Sequence, residues 1–390
     1  MQASVSNLPL PKRPVSTLTA LCHAAFVPTG VVTTLLGPLL PLLSLQWRLT
    51  DTQAGYLFTS QFLGSLLGVV VSGLLSSLWG FQPTLVAGLF MMSAGTAALV
   101  TSWKVGIISI FAYGLGTGLT IPAANLVVAA ANPTRRASAL NLLNFSWGAG
   151  AIASALLVSV FERNSIILWL FYSLSALLLI LAIAISMLTM PPIAADASPP
   201  PIRKSANDRT SLSLFAMALV FFLYVGAENS IGGWVSSYAK RVTLISETLS
   251  ALTPAFFWGA LLLGRGAAPI LLARLSELWL VRVDLIVAST GVALLMYSRT
   301  TAEIIGSAAL AGLGLSAVYP ITIARLSRKF GSKAARAGSL TFCMSSLGGA
   351  CLPLLLGYTS SHSSGLRAGL VVPLIACVSM LGIYILGPSV

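Results

Sequence analysis

Charged side chains are scarce in this chain. Only 8% of its 390 residues are Asp, Glu, Lys or Arg, whereas about a quarter of the residues in a soluble domain are charged. Hydrophobic residues make up 56%, and the longest polar interval is only about twenty residues long, at 191–210. This composition excludes a soluble globular protein. It predicts an all-α integral membrane protein that crosses the bilayer many times.

Motifs for catalysis and for cofactors are also missing. The sequence contains no GxxxxGK[ST], HExxH or GxSxG pattern, so nucleotide-driven pumps, zinc proteases and serine hydrolases are not indicated. The four cysteines fall within apolar runs at spacings that match no metal motif, which favours buried free thiols. We therefore expect no enzyme, no catalytic residues, no cofactor and no metal site.

Apolar runs long enough to cross a bilayer occur twelve times. A spanning helix needs about 20 residues. The predicted spans are 16–44, 53–77, 82–102, 104–131, 137–160, 165–189, 211–239, 248–273, 280–299, 302–327, 334–358 and 367–387.

The Lys and Arg residues lie unevenly around these spans. The segments on the side of the two termini hold 14 of them, the opposite segments hold 7, and Arg265 lies within a span. The positive-inside rule therefore predicts that both termini are cytoplasmic. Because the basic residues are spread over short loops, the net charge of +13 does not indicate a nucleic-acid partner. The partner indicated is the lipid bilayer.

An internal repeat relates the two ends of the sequence. "GLGTGLTIP" at 114–122 matches "GLGLSAVYP" at 312–320, and "LNLLNFSWGAG" at 140–150 matches "LTFCMSSLGGA" at 340–350. The repeat predicts two pseudo-symmetric six-helix halves, 1–190 and 211–390, joined by a cytoplasmic linker at 191–210. Two parallel halves of this kind are typical of the major facilitator fold, in which the solute site lies near the midplane between the halves.

Acidic residues almost never fall inside the predicted spans. Of the nine, eight are assigned to loops or span ends, and Glu228 alone lies deep, in span 7. An ionisable residue within the membrane is costly, which makes it a functional candidate. Glu228 could carry a proton or hydrogen-bond a polar solute. The alternative is a structural Glu tied to a neighbouring helix.

Arg265 is the only basic residue deep in a span, with Trp258 two helical turns before it on the same face. Counting from the span centres places Arg265 about 10 Å deeper than Glu228. A direct pair between them stays open, as does snorkelling of Arg265 to the cytoplasmic boundary.

Two glycines, Gly232 and Gly233, follow Glu228 by one turn and lie beside Asn229 and Trp234. Such glycines either interrupt a transporter helix at the solute site or allow close packing between helices.

The first half has no acid within a span. Its polar candidates are amides and one histidine: Gln61, Asn125, Asn141, Asn144 and His23. Asn144 and Trp147 are i, i+3 neighbours, and an amide beside an aromatic ring is suited to a sugar. The alternative for the amides is hydrogen bonding between helices. His23 could titrate near neutral pH, although a lone His is more often a packing residue.

Three stretches, 125–151, 224–241 and 256–277, resemble spans 4–5 and 7–8 of the bacterial fucose permease-like sugar symporters of the major facilitator superfamily. The resemblance extends over most of the chain and implies a sugar:proton symporter of the bacterial inner membrane. The sequence departs from the family in two places. Ser77, Gln82 and Pro83 replace charged residues of the loop between spans 2 and 3. His23 and Asn125 occur in spans 1 and 4, where the symporters carry acids.

We therefore expect a monomeric secondary or facilitative transporter of a small polar solute, a sugar, that works by alternating access. Coupling would use a proton, with Glu228 and His23 as candidates, or sodium, or would be lost. The expected solute-binding residues are Asn125, Asn144, Trp147, Glu228, Asn229, Trp234, Trp258 and Arg265. The alternatives are a proton-coupled drug or metabolite efflux antiporter and a non-transporting receptor or scaffold.

Overall fold

The computed structural model describes residues 12–99, 102–132, 135–188, 208–330 and 334–387. Within these ranges the chain is helical and contains no strand, so the predicted all-α fold is confirmed. The predicted linker 191–210 lies outside the described residues except for its last three positions, which begin a helix.

Fifteen helices are found in the described residues. Those of the first half are α1 (Lys12–Thr34), α2 (Leu36–Gln46), α3 (Asp51–Trp79), α4 (Phe81–Ala97), α5 (Trp103–Ala131), α6 (Arg136–Arg163) and α7 (Ile167–Ser186). Those of the second half are α8 (Asp208–Thr243), α9 (Glu247–Leu272), α10 (Glu277–Tyr297), α11 (Thr301–Leu315), α12 (Val318–Phe330), α13 (Ala334–His362), α14 (Leu366–Gly369) and α15 (Val371–Leu386). "First half" and "second half" follow the sequence repeat.

Three membrane crossings are each built from two consecutive helices. These are α1 with α2, α11 with α12, and α14 with α15. Eleven segments of the described chain are long and apolar enough to span a bilayer, and the 17-residue α4 completes twelve crossings. The beginning of α1 and the end of α15 therefore lie on one face of the bundle, here called the terminal side. The opposite face is the far side.

The two halves contact each other chiefly through four pairs of helices: α3 with α13, α6 with α9, α2 with α8, and α2 with α9. On α3, contacts to α13 run from Asp51, which accepts a hydrogen bond from Ser360, to Thr59, which donates to the carbonyl of Ala350. On α6 they run from Glu162, which accepts from Thr248, to Gly148, against Leu262. These contacts begin at the far side and end near mid-helix.

Large apolar side chains are exposed at both ends of these helices: Leu142 on α6 and Leu263 on α9 toward the terminal side, and Val160 on α6 and Leu249 on α9 toward the far side. This exposure therefore does not distinguish the two sides. The hydrogen bonds between the halves do, because among the described residues all of them lie between the far-side ends and mid-helix. The halves are thus joined at the far side by contacts that are called the far-side closure below, and the described terminal-side parts of the same helices carry no such bond.

Glycines allow the closest approach between the halves. A Cβ at Gly37 of α2 would lie 2.5 Å from the carbonyl oxygen of Gly232 on α8, and one at Gly233 would lie 2.6 Å from the ring of Phe58. Helix α8 runs through Gly232 and Gly233 without interruption. Of the two interpretations of Gly232 and Gly233, close packing is therefore the one observed.

The tenth crossing is broken between α11 and α12. Ser316 and Ala317 leave the helix there, and Pro320, which has no N–H, follows one turn later. The N–H of Ser316 bonds the carbonyl of Leu313 at 3.1 Å, and the N–H of Ala317 bonds Asp284 Oδ2 on α10 at 3.1 Å. A side chain from a neighbouring helix thus replaces a helical hydrogen bond.

Substitution of Gly37 by alanine tests the glycine contact. The new Cβ would meet a backbone carbonyl that cannot rotate away, and overpacking of this kind costs about 1–3 kcal/mol. We expect Gly37→Ala to lower the melting temperature in detergent. The control is Gly259→Ala in α9, where a Cβ meets nothing within 4 Å and the helix gains propensity. Equal melting of the two variants would contradict the contact.

Candidate functional site

Three side chains of the second half form a buried charged cluster: Tyr224 and Glu228 of α8 and Arg265 of α9. Tyr224 and Glu228 are one helical turn apart, so they lie on the same face. The Tyr224 hydroxyl donates to Glu228 Oε1 at 3.0 Å. Arg265 Nη2 donates to Glu228 Oε1 and to the Tyr224 hydroxyl oxygen, both at 3.1 Å. The pair that the sequence left open is therefore formed, because the long Arg side chain spans the difference in depth.

Most of the cluster is buried. Glu228 is 7% exposed and Tyr224 is 1% exposed, whereas the side chain of Arg265 is 23% exposed. Two opposite charges taken out of water together are tolerable, whereas removal of one partner from a buried pair typically costs about 3–5 kcal/mol. The cluster therefore fixes α8 against α9 in the middle of the second half.

The broken crossing contacts this cluster. Tyr319 is the second residue of α12, and its ring lies 5.4 Å from the ring of Tyr224 and 5.2 Å from that of Phe221. A change at the α11–α12 break would therefore be felt at Tyr224, which bonds both charged residues.

Three of the predicted solute-binding residues are amides that bond to their own helices. Asn125 of α5, Asn144 of α6 and Asn229 of α8 each donate to the carbonyl four residues earlier, at 2.7, 2.9 and 2.9 Å. Asn144 is exposed, and Asn125 and Asn229 are half-buried. Each amide keeps a second N–H and its carbonyl oxygen for another partner.

An aromatic pair marks the end of the far-side closure. Trp147 of α6 and Trp258 of α9 meet edge to face, with ring centroids 5.8 Å apart and planes at 85°. Arg265 lies seven residues from Trp258 toward the terminal side, which is about 10 Å along a helix. Asn144 likewise lies on the terminal side of Trp147. The charged cluster and Asn144 are thus on the terminal side of the aromatic pair.

Trp234 occupies a different place from the other predicted site residues. It lies six residues beyond Glu228 toward the far side, about 9 Å along α8. It is 1% exposed, and its ring centroid lies 6.1 Å from that of Phe58 in the first half. Trp234 is therefore part of the far-side closure in this conformation.

His23 of α1 is half-buried, and its Nδ1 lies 3.1 Å from Ser146 Oγ of α6. This contact lies within the first half. The structure places His23 in hydrogen-bond contact with a hydroxyl and not with an acid.

The expectation that Glu228 is the only acid deep within a crossing is wrong. Helix α10 begins at Glu277, three residues before the predicted span, so Asp284 lies two turns inside it. Ser276 caps this helix by accepting a hydrogen bond from the Trp279 N–H. A serine followed by an acid is a common helix start, and that signal could have moved the boundary.

Comparisons with known proteins agree with this fold. The family model described as Major Facilitator Superfamily matches residues 23–353. A glucose/galactose transporter of Brucella abortus biovar 1 (strain 9-941) is 26% identical over 375 residues, covering 91% of this chain and 90% of the relative.

A second relative, the glucose/mannose transporter GlcP of Bacillus subtilis (strain 168), is 23% identical and covers 88% of both chains. Among solved structures, the E. coli fucose:proton symporter FucP superposes with a TM-score of 0.64 at 17% identity, covering 97% of this chain and 100% of that one.

A double substitution tests the energetics of the charged cluster. Arg265→Met leaves Glu228 buried without its cation, so we expect a loss of about 3–5 kcal/mol in the free energy of unfolding. Glu228→Leu combined with Arg265→Met removes both charges and should recover most of that loss. Unfolding in detergent is the measurement, and Arg274→Met, at an exposed position after α9, is the control. If Arg265→Met were as stable as this control, the proposed stabilisation by the ion pair would be contradicted.

Proposed function

The chain belongs to the major facilitator superfamily, and from that premise we propose that it moves a sugar across the membrane by alternating access. It is a multi-pass membrane transporter and not an enzyme. The observation that carries the proposal is the charged cluster, which lies on the terminal side of the Trp147–Trp258 pair and next to Asn229 in the sequence of α8. In alternating access, a polar site at the junction of two rigid halves is exposed to one side of the membrane at a time.

The relatives support a hexose as the solute. Those named as glucose/galactose and glucose/mannose transporters match about nine-tenths of the chain. Free amide groups of Asn125, Asn144 and Asn229 suit sugar hydroxyls, which both donate and accept hydrogen bonds. The faces of Trp147 and Trp258 suit the apolar face of a pyranose ring. A lipophilic drug would use few of these amides, so efflux of drugs is the less supported alternative.

Glu228 is proposed to bind the solute directly. Its hydrogen bonds within the described residues all go to Oε1, so Oε2 has acceptor capacity left for a sugar hydroxyl. Arg265 sets the orientation of the carboxylate, because it donates to both Glu228 and Tyr224. A hydrogen bond from a hydroxyl to a fixed carboxylate is charge-assisted and therefore stronger than a neutral one.

The far-side closure is proposed to act as the gate that opens in the other half of the cycle. Arg241 at the end of α8 donates two hydrogen bonds to Asp51 at the start of α3, at 2.8 and 2.5 Å. Ser360 donates to the same carboxylate at 2.5 Å, and Thr248 donates to Glu162 at 2.6 Å. All these bonds join the two halves, so they must break for the far side to open.

The orientation and setting follow from charge. The excess of Lys and Arg on the terminal side supports cytoplasmic termini, so the conformation described is closed on the side away from the cytoplasm. Bacterial relatives support location in the bacterial inner membrane. We propose a monomer driven by a cation gradient, of protons or of sodium ions.

Counterflow exchange in proteoliposomes tests the proposal. Proteoliposomes that contain the wild-type protein and are loaded with unlabelled glucose should take up labelled glucose or galactose. Mannose should compete with this uptake. Glu228→Gln keeps the shape of the side chain but loses the ion pair with Arg265 and the charge-assisted bond to the solute. That bond is worth about 1.5–3 kcal/mol, so we expect the KM to rise at least tenfold.

The matched control is Glu303→Gln. Glu303 lies at the far-side start of α11 and closes a capping box that Gln also closes, so its KM should not change. Absence of sugar exchange by the wild type would contradict the proposed function. An unchanged KM in Glu228→Gln would remove Glu228 from the site.

A further inference from the structure

A second carboxylate lies inside the membrane-spanning part of the second half. Asp284 of α10 lines a cavity of about 350 Å³ between α9, α10 and α11. The cavity extends from Gly264 and Ser316, near mid-helix, to Leu275 and Trp279 at the terminal-side ends of α9 and α10. Asp284 is the only ionisable residue in its lining, and the rest is almost entirely apolar.

Asp284 holds the break in the tenth crossing. In an unbroken α-helix the Ala317 N–H would bond the carbonyl of Leu313. Here the Ser316 N–H takes that carbonyl at 3.1 Å, and the Ala317 N–H donates to Asp284 Oδ2 at 3.1 Å. The carboxylate therefore stabilises the broken conformation, and an ionised carboxylate does so more strongly than a neutral one.

The break is connected to the solute site by direct contacts. Ala317 lies two residues before Tyr319, whose ring packs on that of Tyr224 in the charged cluster. Gly264, which lines the Asp284 cavity, immediately precedes Arg265. A change in the bond between Asp284 and Ala317 would therefore reach Glu228 through two separate helices.

The charge of Glu228 is neutralised by a neighbouring cation, and Asp284 differs from Glu228 in this respect. Among the described residues, no cation lies within ion-pair distance of Asp284, whereas Glu228 is paired with Arg265. Arg282, on its own helix, donates to the carbonyl of Tyr384 at 2.9 and 3.1 Å. The remaining titratable groups of the helices that pack against α10 are Glu247 and Arg265 of α9, Glu303 of α11, Tyr319, Arg325, Arg328 and Lys329 of α12, Arg367 of α14, and Cys377 and Tyr384 of α15.

We propose that Asp284 is the site that binds the coupling proton, an inference that rests on the proposed transport function. One proton adds to the carboxylate and makes a carboxylic acid, and no other covalent bond forms or breaks. Protonation weakens the bond to the Ala317 N–H and releases the break between α11 and α12, and loss of the proton restores it. A sodium ion would need several oxygen ligands, which the apolar lining does not supply.

Asp284→Asn separates coupling from transport. The amide oxygen of Asn still accepts from the Ala317 N–H, so the fold and the site should persist, but the side chain cannot take up a proton. In proteoliposomes, we expect the variant to keep counterflow of labelled glucose or galactose. It should lose the accumulation that an imposed pH gradient drives in the wild type. Glu303→Gln, the matched control, should keep both activities.

Two results would overturn the proposal: gradient-driven accumulation by Asp284→Asn at the wild-type level, or loss of counterflow together with accumulation. The second result would assign Asp284 a structural role.

A measurement without sugar separates this proposal from the proposed function. Trp279 lines the same cavity as Asp284. The fluorescence that Trp279 contributes is the difference between the wild type and Trp279→Phe, and we expect this difference to titrate with pH. We expect that titration to vanish in Asp284→Asn and to remain in Glu303→Gln. A titration that persists in Asp284→Asn would overturn the proton site. A wild type that exchanges no sugar would overturn only the transport function, because the fluorescence result still decides the proton site.

Discussion

The ion pair between Glu228 and Arg265 is the constraint on which the second half depends. Neither charge could stay in the membrane alone, since a buried ion without a partner is costly. Together they join α8 to α9, and Tyr224 extends the pair to Tyr319 at the start of α12. Three helices thus meet at one polar centre in an apolar bundle. That centre is what a solute between the halves would encounter.

The far-side closure determines the side from which a solute reaches this polar centre. Gly37 and Gly232 bring α2 and α8 together, and Asp51 and Arg241 fasten the far-side ends of α3 and α8. The closure ends at the Trp147–Trp258 pair, so the charged cluster is approached from the terminal side. The contacts at the far side combine polar bonds and small-residue packing with the buried aromatic contact between Phe58 and Trp234.

Hydropathy was enough to predict the helical membrane fold and the twelve crossings, and the scarcity of acids within the spans made Glu228 a candidate for the solute site. The sequence could not predict the pairing with Arg265, because residue counts give depth but not helix tilt or rotation. Asp284 was missed because the span boundary was placed at Leu280, after the true helix start. Trp234 was expected at the solute site, yet the structure places it in the far-side closure, since its side of α8 faces Phe58.

A structure determined with glucose or galactose at saturating concentration tests the central claim most directly. The account predicts sugar density on the terminal side of the Trp147–Trp258 pair, within hydrogen-bond distance of Glu228 and at least one of Asn125, Asn144 and Asn229. Sugar bound elsewhere in the molecule would contradict the claim. The absence of sugar density at this site, in protein that exchanges the sugar in proteoliposomes, would also contradict the claim.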